Sequence, residues 1–189
     1  MLRHFKNLFH LLSGCLAVAY YRFPARRLTV VGITGTDGKT TTTSIIYHIL
    51  TRAGFKTAMI TTVGAVIAGK TYDNGFHVTT PNAWLLQKYL RQAVATGVTH
   101  VALEVSSHSL DQHRVVGIPF RVGVLTNVTH EHLDYHHTME AYALAKSSLF
   151  ATPSLKWAII NHDDAYAGLM QSKVNPSCHL LTYGLMEGS

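Results

Sequence analysis

The hydrophobic positions of this chain form short apolar runs that alternate with segments of helical periodicity. Apolar runs bounded by turn residues are typical of buried strands, and apolar positions three and four apart are typical of helices. The predicted strands are a segment ending at 32 and residues 56–63, 100–105, 120–128, 157–161 and 179–183; the predicted helices are 44–53, 82–96, 139–150 and 163–171. This alternation predicts an α/β fold, a three-layer sandwich with a mostly parallel central sheet and helices on both faces.

Two local patterns add detail to this prediction. Helix 44–53 carries apolar residues spaced to bury one face, namely Ile45, Ile46, Ile49 and Leu50. The segment after strand 56–63 is punctuated by three glycines, Gly64, Gly69 and Gly75, which predicts a loop or a small hairpin.

The first 27 residues form a separate apolar segment, predicted as a short helix and a linker. Residues 8–21 are apolar apart from His10 and Ser13, and Pro24 is expected to end the helix. The run is short for a hydrocarbon core of ~30 Å. If the segment were cleaved as a signal peptide, the glycine- and threonine-rich segment 30–43, a candidate phosphate-binding loop, would enter a compartment without ATP. We predict a buried or amphipathic helix, with a weak peripheral membrane contact through residues 1–22 as the second interpretation.

Composition narrows the class of protein. The chain has 189 residues with 47% hydrophobic and 14% charged residues, which is a globular composition. The net charge of +6 suits nucleic acid, a membrane surface or anionic small substrates. Because the cations form no single run and do not alternate with aromatic residues, nucleic acid is not a predicted partner. The two distant cysteines, Cys15 and Cys178, predict neither a disulfide framework nor a zinc site and suit the cytoplasm.

The strongest chemical signal is the glycine- and threonine-rich segment 30–43, which follows an apolar run and precedes a helical pattern. Gly35 and Gly38 allow successive backbone N–H groups to point at an anion, and the following helix adds its positive N-terminal end. Lys39 is placed to reach terminal phosphates, and Thr40 or Thr41 can offer a hydroxyl to Mg²⁺. This loop makes the predicted three-layer sandwich one of P-loop type. The general pattern G-x-x-x-x-G-K-[ST] is not met, because position 33 is isoleucine.

The other polar clusters lie where predicted parallel strands end, which is where such sheets bind ligands. Glu104 closes an apolar strand and is a candidate Mg²⁺ ligand, while Arg114 is a candidate for binding a carboxylate or phosphate. The histidine-rich segment 130–137 lacks the H-E-x-x-H spacing, so an imidazole beside Mg²⁺ is favoured over zinc. Nothing in spacing or periodicity distinguishes Lys146 from an ordinary helix lysine.

These motifs together resemble the central, ATP-binding domain of the Mur ligases, and most of all the UDP-N-acetylmuramoyl-tripeptide synthetase branch of that family. The resemblance covers about residues 28–184. The motifs occur in the family's order at 32–42, 79–81, 104–108, 112–114, 126–127, 132–136 and 145–146. The sequence Glu-Val-Ser-Ser-His at 104–108 is what points to the branch, and the family's variant phosphate loop accounts for isoleucine at position 33.

The resemblance implies a role for each matched residue. Residues implied to bind ATP are Gly35, Thr36, Asp37, Gly38, Lys39, Thr40 and Thr41, with Asn161 near the adenine. Residues implied to serve Mg²⁺ are Thr40, Glu104, His132 and Lys146, the last as a carbamate that supports a second ion. Lys39, His132 and Lys146 are the implied catalytic residues. Residues implied to contact a UDP-N-acetylmuramoyl-peptide are Thr79, Thr80, Ser106, Gln112 and Arg114.

The implied reaction is a two-step ligation in peptidoglycan precursor synthesis by a cytoplasmic, monomeric enzyme. The substrate carboxylate attacks the γ-phosphorus of ATP to give an acyl phosphate, and the amine of an amino acid then displaces phosphate. Mg²⁺ and Lys39 offset the charge on the transferring group.

The sequence departs from the family pattern in three ways. Asp37 replaces the usual asparagine of the phosphate loop, residues 1–27 stand where a uridine-binding domain is usual, and no amino-acid-binding domain follows the central domain at 28–189. We therefore expect Mg·ATP binding without turnover. Two alternatives remain. The first is a folylpolyglutamate synthase-like ligase, which is disfavoured by the sequence Ser-Ser-His at 106–108 followed by Gln-His-Arg at 112–114. The second is a non-catalytic ATP-binding or membrane-associated fragment.

Overall fold

The computed structural model describes residues 2–73, 81–131 and 133–185. The strands are β1 (Thr29–Thr34), β2 (Thr57–Ile60), β3 (Gly64–Ile67), β4 (Lys70–Asp73), β5 (His100–Glu104), β6 (Phe120–Leu125), β7 (Trp157–Asn161) and β8 (His179–Tyr183). The helices are α1 (Leu2–Tyr20), α2 (Lys39–Arg52), α3 (Ala83–Ala95), α4 (Ser107–Asp111), α5 (Leu133–His136), α6 (Met139–Ser147) and α7 (Ala167–Lys173), with a 3-10 helix at Pro24–Arg27.

The strands form one sheet in the order β4-β3-β2-β5-β1-β6-β7-β8. Every pairing from β2 to β8 is parallel, whereas β3 and β4 form an antiparallel extension at one edge. Ala68 and Gly69 have positive φ angles in the turn between β3 and β4, as a tight hairpin requires. The predicted α/β fold and the predicted small hairpin are therefore confirmed.

Helices cover both faces of the sheet, as predicted. On one face, Ile46 and Tyr47 of α2 pack against a small cluster from β1, β5 and β6 that includes Ile33. On the other face, α3, α6 and α7 bury the larger cluster, which includes Leu90 and Tyr142. Strand β1 lies between β5 and β6, so its carboxyl end adjoins the ends of both neighbours.

The apolar face predicted for helix 44–53 was partly wrong. Helix α2 begins at Lys39, directly after the glycine-rich loop, and Thr43 is buried, whereas Ile45 and Ile49 are exposed. Residues 43, 46, 47 and 50 share one side of a helix with 3.6 residues per turn, and 45 and 49 lie on another. Thr43 is therefore part of the buried face of α2, and Ile45 and Ile49, which the apolar spacing had assigned to that face, are not.

Several predicted boundaries also differ, among them the end of β2, which is Ile60 rather than 63. Strand β6 ends at Leu125 and helix α6 ends at Ser147, earlier than the predicted 128 and 150. Helix α7 begins at Ala167 rather than at 163, because residues 163–166 form a turn fixed by two side chains. In that turn Asp163 donates its N–H to Asn161 Oδ1, and Tyr166 donates its N–H to Asp164 Oδ1.

Helix α1 packs against α3 and the turn that follows α4. Gly14 lies so close to Val116 that a Cβ would clash with it, and Asn7 donates a hydrogen bond to the carbonyl of Asp111. The helix ends at Tyr20, before Arg22 and its neighbour adopt positive φ angles and ahead of the proline expected to end it. Within the described residues, no helix combines the length and apolar character needed to cross a membrane.

Candidate active site

The glycine-rich loop between β1 and α2 has the backbone shape needed to hold an anion. Gly35 and Gly38 have φ angles of 153° and 75°, which favour glycine. A Cβ on Gly35 would overlap the hydroxyl of Thr126. Thr126 Oγ1 in turn donates a 2.7 Å hydrogen bond to the carbonyl of Asp37, and the Asp37 N–H bonds Asn127 Oδ1 at 2.9 Å. The segment after β6 therefore holds the loop in a fixed curl.

Glu104 and Thr40 meet at the carboxyl end of β5. The Thr40 hydroxyl donates a 2.8 Å hydrogen bond to Glu104 Oε2, which also accepts one from the N–H of Thr62 at 3.2 Å. Glu104 is only 3% exposed. A buried carboxylate beside a hydroxyl supplies the hard oxygen donors that Mg²⁺ prefers, so these two residues fit the predicted ion.

Two lysine amines reach the same loop. Lys39 Nζ donates a 2.5 Å hydrogen bond to the carbonyl of Thr36, and Lys146 Nζ donates one to the carbonyl of Gly35. Lys146 is 1% exposed, and burial, followed by the nearby charge of Lys39, lowers the pKa of its amine to about 7. A substantial fraction of this amine is therefore neutral near pH 7, which an ordinary surface lysine is not.

Tyr142 connects Lys146 to the loop. Its ring lies beneath Lys146 Nζ at 4.2 Å, and its hydroxyl is 3.1 Å from Thr36 Oγ1. The side chain is fully buried, which raises the pKa of the phenol to about 12 and keeps it neutral. Tyr142 was not predicted as a site residue, although its position four residues before Lys146 places both on one face of α6.

A cavity of about 260 Å³ gathers most of these groups. Six of its lining residues were predicted from the sequence: Gly35, Lys39, Thr40, Glu104, Ser106 and Lys146. Four were missed: Thr62, Ser107, Glu131 and Tyr142. Its walls carry two lysines, two carboxylates and several hydroxyls, a set that suits a polyphosphate with a divalent cation.

The serines after β5 serve both the fold and the cavity. Ser106 Oγ accepts a hydrogen bond from the N–H of Ser109 and so caps the N-terminus of α4. Ser107 Oγ is 3.0 Å from Nε2 of His136, which is 2% exposed. His136 thus fixes the hydroxyl of a cavity-lining serine.

Gln112 and Arg114 lie in a second cavity of about 140 Å³, which is also lined by His10, Ser13 and Trp84. Arg114 Nε and Nη2 donate hydrogen bonds to Gln112 Oε1 at 3.0 and 2.6 Å, and burial lowers the pKa of the guanidinium without neutralising it. These two predicted substrate residues therefore lie together, in a cavity separate from the one beside the phosphate loop.

Comparisons with known proteins identify the family of this domain. The family described as Mur ligase middle domain matches residues 33–189. The chain belongs to the Mur ligase family. A 2,6-diaminopimelate-adding UDP-N-acetylmuramoyl-L-alanyl-D-glutamate ligase from Synechococcus elongatus is 47% identical over 175 residues, covering 92% of this chain and 35% of its own length.

Solved structures give the same result for the fold. A ligase of that same name is 37% identical with a TM-score of 0.78 and is matched over 86% of this chain and 33% of its own. A Mycobacterium tuberculosis folylpolyglutamate synthase has a TM-score of 0.73 at 15% identity over 94% of this chain and 50% of its own, which shows a shared fold alone. The chain thus spans about a third of the length of the Mur ligases that it matches.

The remaining predicted residues of this Mur ligase domain are not among those that line the cavity, or they lie outside the described part of the chain. Asn161 donates a hydrogen bond to the carbonyl of Thr126, the residue that holds the loop, and Thr41 and Asp37 are exposed. Thr79, Thr80 and His132 lie outside the described residues. Within the described ranges, no group of three or more His, Cys, Asp or Glu residues is arranged to hold a metal ion.

Proposed function

We propose that this Mur ligase domain binds Mg·ATP in the 260 Å³ cavity and activates the carboxylate of a UDP-N-acetylmuramoyl-peptide for ligation to an amino acid. The observation that carries the proposal is the Thr40–Glu104 hydrogen bond directly beside the phosphate loop. Its hydroxyl and buried carboxylate are the oxygen donors that would hold a Mg²⁺ ion beside the phosphate loop. The substrate class is inferred from the names of the relatives. We propose that the reaction takes place in the cytoplasm, where ATP is available.

The residues of the cavity have separate tasks in this reaction. The loop N–H groups and Lys39 bind and orient the phosphates, and Lys39 exchanges the carbonyl of Thr36 for a phosphate oxygen. Thr40 and Glu104 would hold Mg²⁺, which would supply Lewis-acid stabilisation of the charge on the transferring phosphoryl group. The substrate carboxylate attacks the γ-phosphorus of ATP to form an acyl phosphate with release of ADP, and an incoming amine then forms the amide, releasing inorganic phosphate and a proton.

Lys146 has the properties needed for carbamylation. Only a neutral amine adds carbon dioxide, and burial lowers the pKa of this amine to about 7. The amine would add carbon dioxide and release a proton, leaving a carbamate anion near the present contact with the carbonyl of Gly35, in the cavity that Glu104 and Glu131 also line. A carbamate there adds a third oxygen-donor group for metal, consistent with the role that the family resemblance implies.

We propose that the UDP-N-acetylmuramoyl-peptide binds in the second cavity, where Gln112 and Arg114 are hydrogen-bonded to each other. Binding of UDP-N-acetylmuramoyl-dipeptide and of a folate to the full chain tests this assignment. We expect only the former to bind, and Arg114→Ala to weaken it by about tenfold to a hundredfold, as loss of a bidentate cation does. The exposed Arg91→Ala is the matched control. Preference for the folate would replace this proposal with a folylpolyglutamate synthase-like activity.

A further inference from the structure

Helix α1 presents its most apolar side to solvent. Five large apolar residues are each more than half exposed: Leu8, Phe9, Leu12, Leu16 and Tyr20. Together with exposed Cys15 and Ala19 they occupy about 140° of the helix circumference and extend for about 18 Å along it, at 100° and 1.5 Å per residue. We call this surface the α1 stripe. A continuous exposed apolar surface of this kind marks an interaction site.

The remaining sides of α1 make specific polar and close-packed contacts. Asn7 bonds the carbonyl of Asp111 at 3.0 Å, and Ser13 Oγ accepts a 3.0 Å hydrogen bond from the indole N–H of Trp84. Gly117 packs so closely against Val18 that a Cβ would clash. These contacts fix the rotation of the helix, so the α1 stripe cannot turn inward without breaking them.

The charged residues of the segment that carries the α1 stripe are all positive. The sequence has five Lys or Arg residues and no Asp or Glu before Asp37. Lys6 is exposed near one end of the stripe, and Arg22 and Arg26 are exposed just beyond the other. A second copy of this chain would bring like charges together, whereas an anionic surface would be attracted.

An aromatic pair lies at the end of the stripe nearest the arginines. The rings of Tyr20 and Trp84 are 5.6 Å apart, and both side chains are at least 40% exposed. Tyrosine and tryptophan favour the level of lipid headgroups, where one end of the ring is apolar and the other is hydrated. An apolar stripe, flanking cations and an aromatic pair are the features of helices that lie in the plane of a membrane interface.

We propose that the α1 stripe docks this domain on an anionic membrane surface. Helix α1 would lie parallel to the bilayer, with Leu12 and Leu16 at the centre of the buried surface and Arg22 and Arg26 contacting lipid phosphates. None of the α1 stripe residues lines the phosphate cavity, so Mg·ATP binding can be measured separately from lipid binding.

Vesicle co-sedimentation of the full chain tests the proposal. We expect binding to vesicles of phosphatidylcholine with phosphatidylglycerol, weaker binding at high salt, and little binding to phosphatidylcholine alone. Leu12→Ser with Leu16→Ser should lower the partition coefficient roughly a hundredfold, and Arg22→Gln with Arg26→Gln about tenfold or more. The matched control is Ile45→Ser with Ile49→Ser, which removes two equally exposed apolar residues from α2.

Three outcomes would overturn the proposal: no binding of the wild-type chain to anionic vesicles, equal loss in the α1 and α2 double variants, or a dimer in sedimentation velocity that the Leu12/Leu16 variant dissociates without any lipid binding. Circular dichroism melting of each variant establishes that it is folded. Since Mg·ATP binding is measured without lipid, failure of this proposal leaves the ligase proposal intact.

Discussion

Replacing Lys146 with methionine separates the cost of burying a titratable amine from the packing of its side chain. Methionine keeps a long, flexible, apolar side chain in a position that is 1% exposed. What it removes is the amine that bonds the carbonyl of Gly35 and lies over the ring of Tyr142.

The expected effect follows from the pKa of this amine. Burial lowers the pKa from 10.5 to about 7, which at about 1.4 kcal/mol per pKa unit destabilises the ammonium form by about 5 kcal/mol. Below pH 7 both the folded and unfolded chains are protonated, and the full penalty applies. Between pH 7 and 10.5 the unfolded chain binds the additional proton, so wild-type stability rises with pH; above 10.5 the penalty is gone.

Urea unfolding from about pH 6 to about pH 10 measures this difference. At the acid end we expect Lys146→Met to be more stable than wild type by about 3 kcal/mol, after about 1–2 kcal/mol is subtracted for the lost hydrogen bond and ring contact. The advantage should shrink and then reverse as pH rises. The exposed Lys88→Met is the control. Parallel pH profiles for Lys146→Met and wild type would refute the argument.

Three further substitutions test the phosphate loop and its supports. Gly35→Ala should abolish nucleotide binding and destabilise the fold by about 3 kcal/mol or more in urea unfolding, because the added Cβ overlaps the Thr126 hydroxyl. The control is Gly168→Ala, which should be neutral or stabilising because no atom lies near its added Cβ. Tyr142→Phe should cost about 1 kcal/mol in the same assay through the lost hydroxyl contact, while a loss below the error would mean that this contact contributes nothing. Asp37→Asn removes an exposed negative charge beside the phosphates and should tighten ATP binding about threefold to tenfold in calorimetry; unchanged or weaker binding would show that the carboxylate does not repel the nucleotide.

The phosphate loop was predictable because its signals are local. Gly35 and Gly38 mark backbone conformations, and Lys39 begins the helix that follows them. The nearness of Glu104 and Thr40 was also predictable in outline, since parallel strands end at one edge of the sheet. The order of the strands is set by non-local pairing, and the alternation of elements specified only that a parallel sheet forms.

The environment of Lys146 could not be predicted from spacing. Which face of α6 is buried depends on the loop that it meets, and only the structure shows Tyr142 and Lys146 pointing at Gly35 and Thr36. Helix α1 illustrates the same limit: residues 8–21 are apolar on most sides, so composition predicts a helix but not that Leu12 faces solvent.

Calorimetric titration of Mg·ATP into wild type, Lys39→Ala and Lys88→Ala tests the central claim most directly. Lys39 lines the cavity beside the loop, and Lys88 is an exposed lysine of α3. We predict binding to wild type and Lys88→Ala that weakens when Mg²⁺ is chelated, and a loss of about a hundredfold in Lys39→Ala. Equal binding by Lys39→Ala and wild type, or no binding by either, would contradict the assignment of this cavity as a Mg·ATP site.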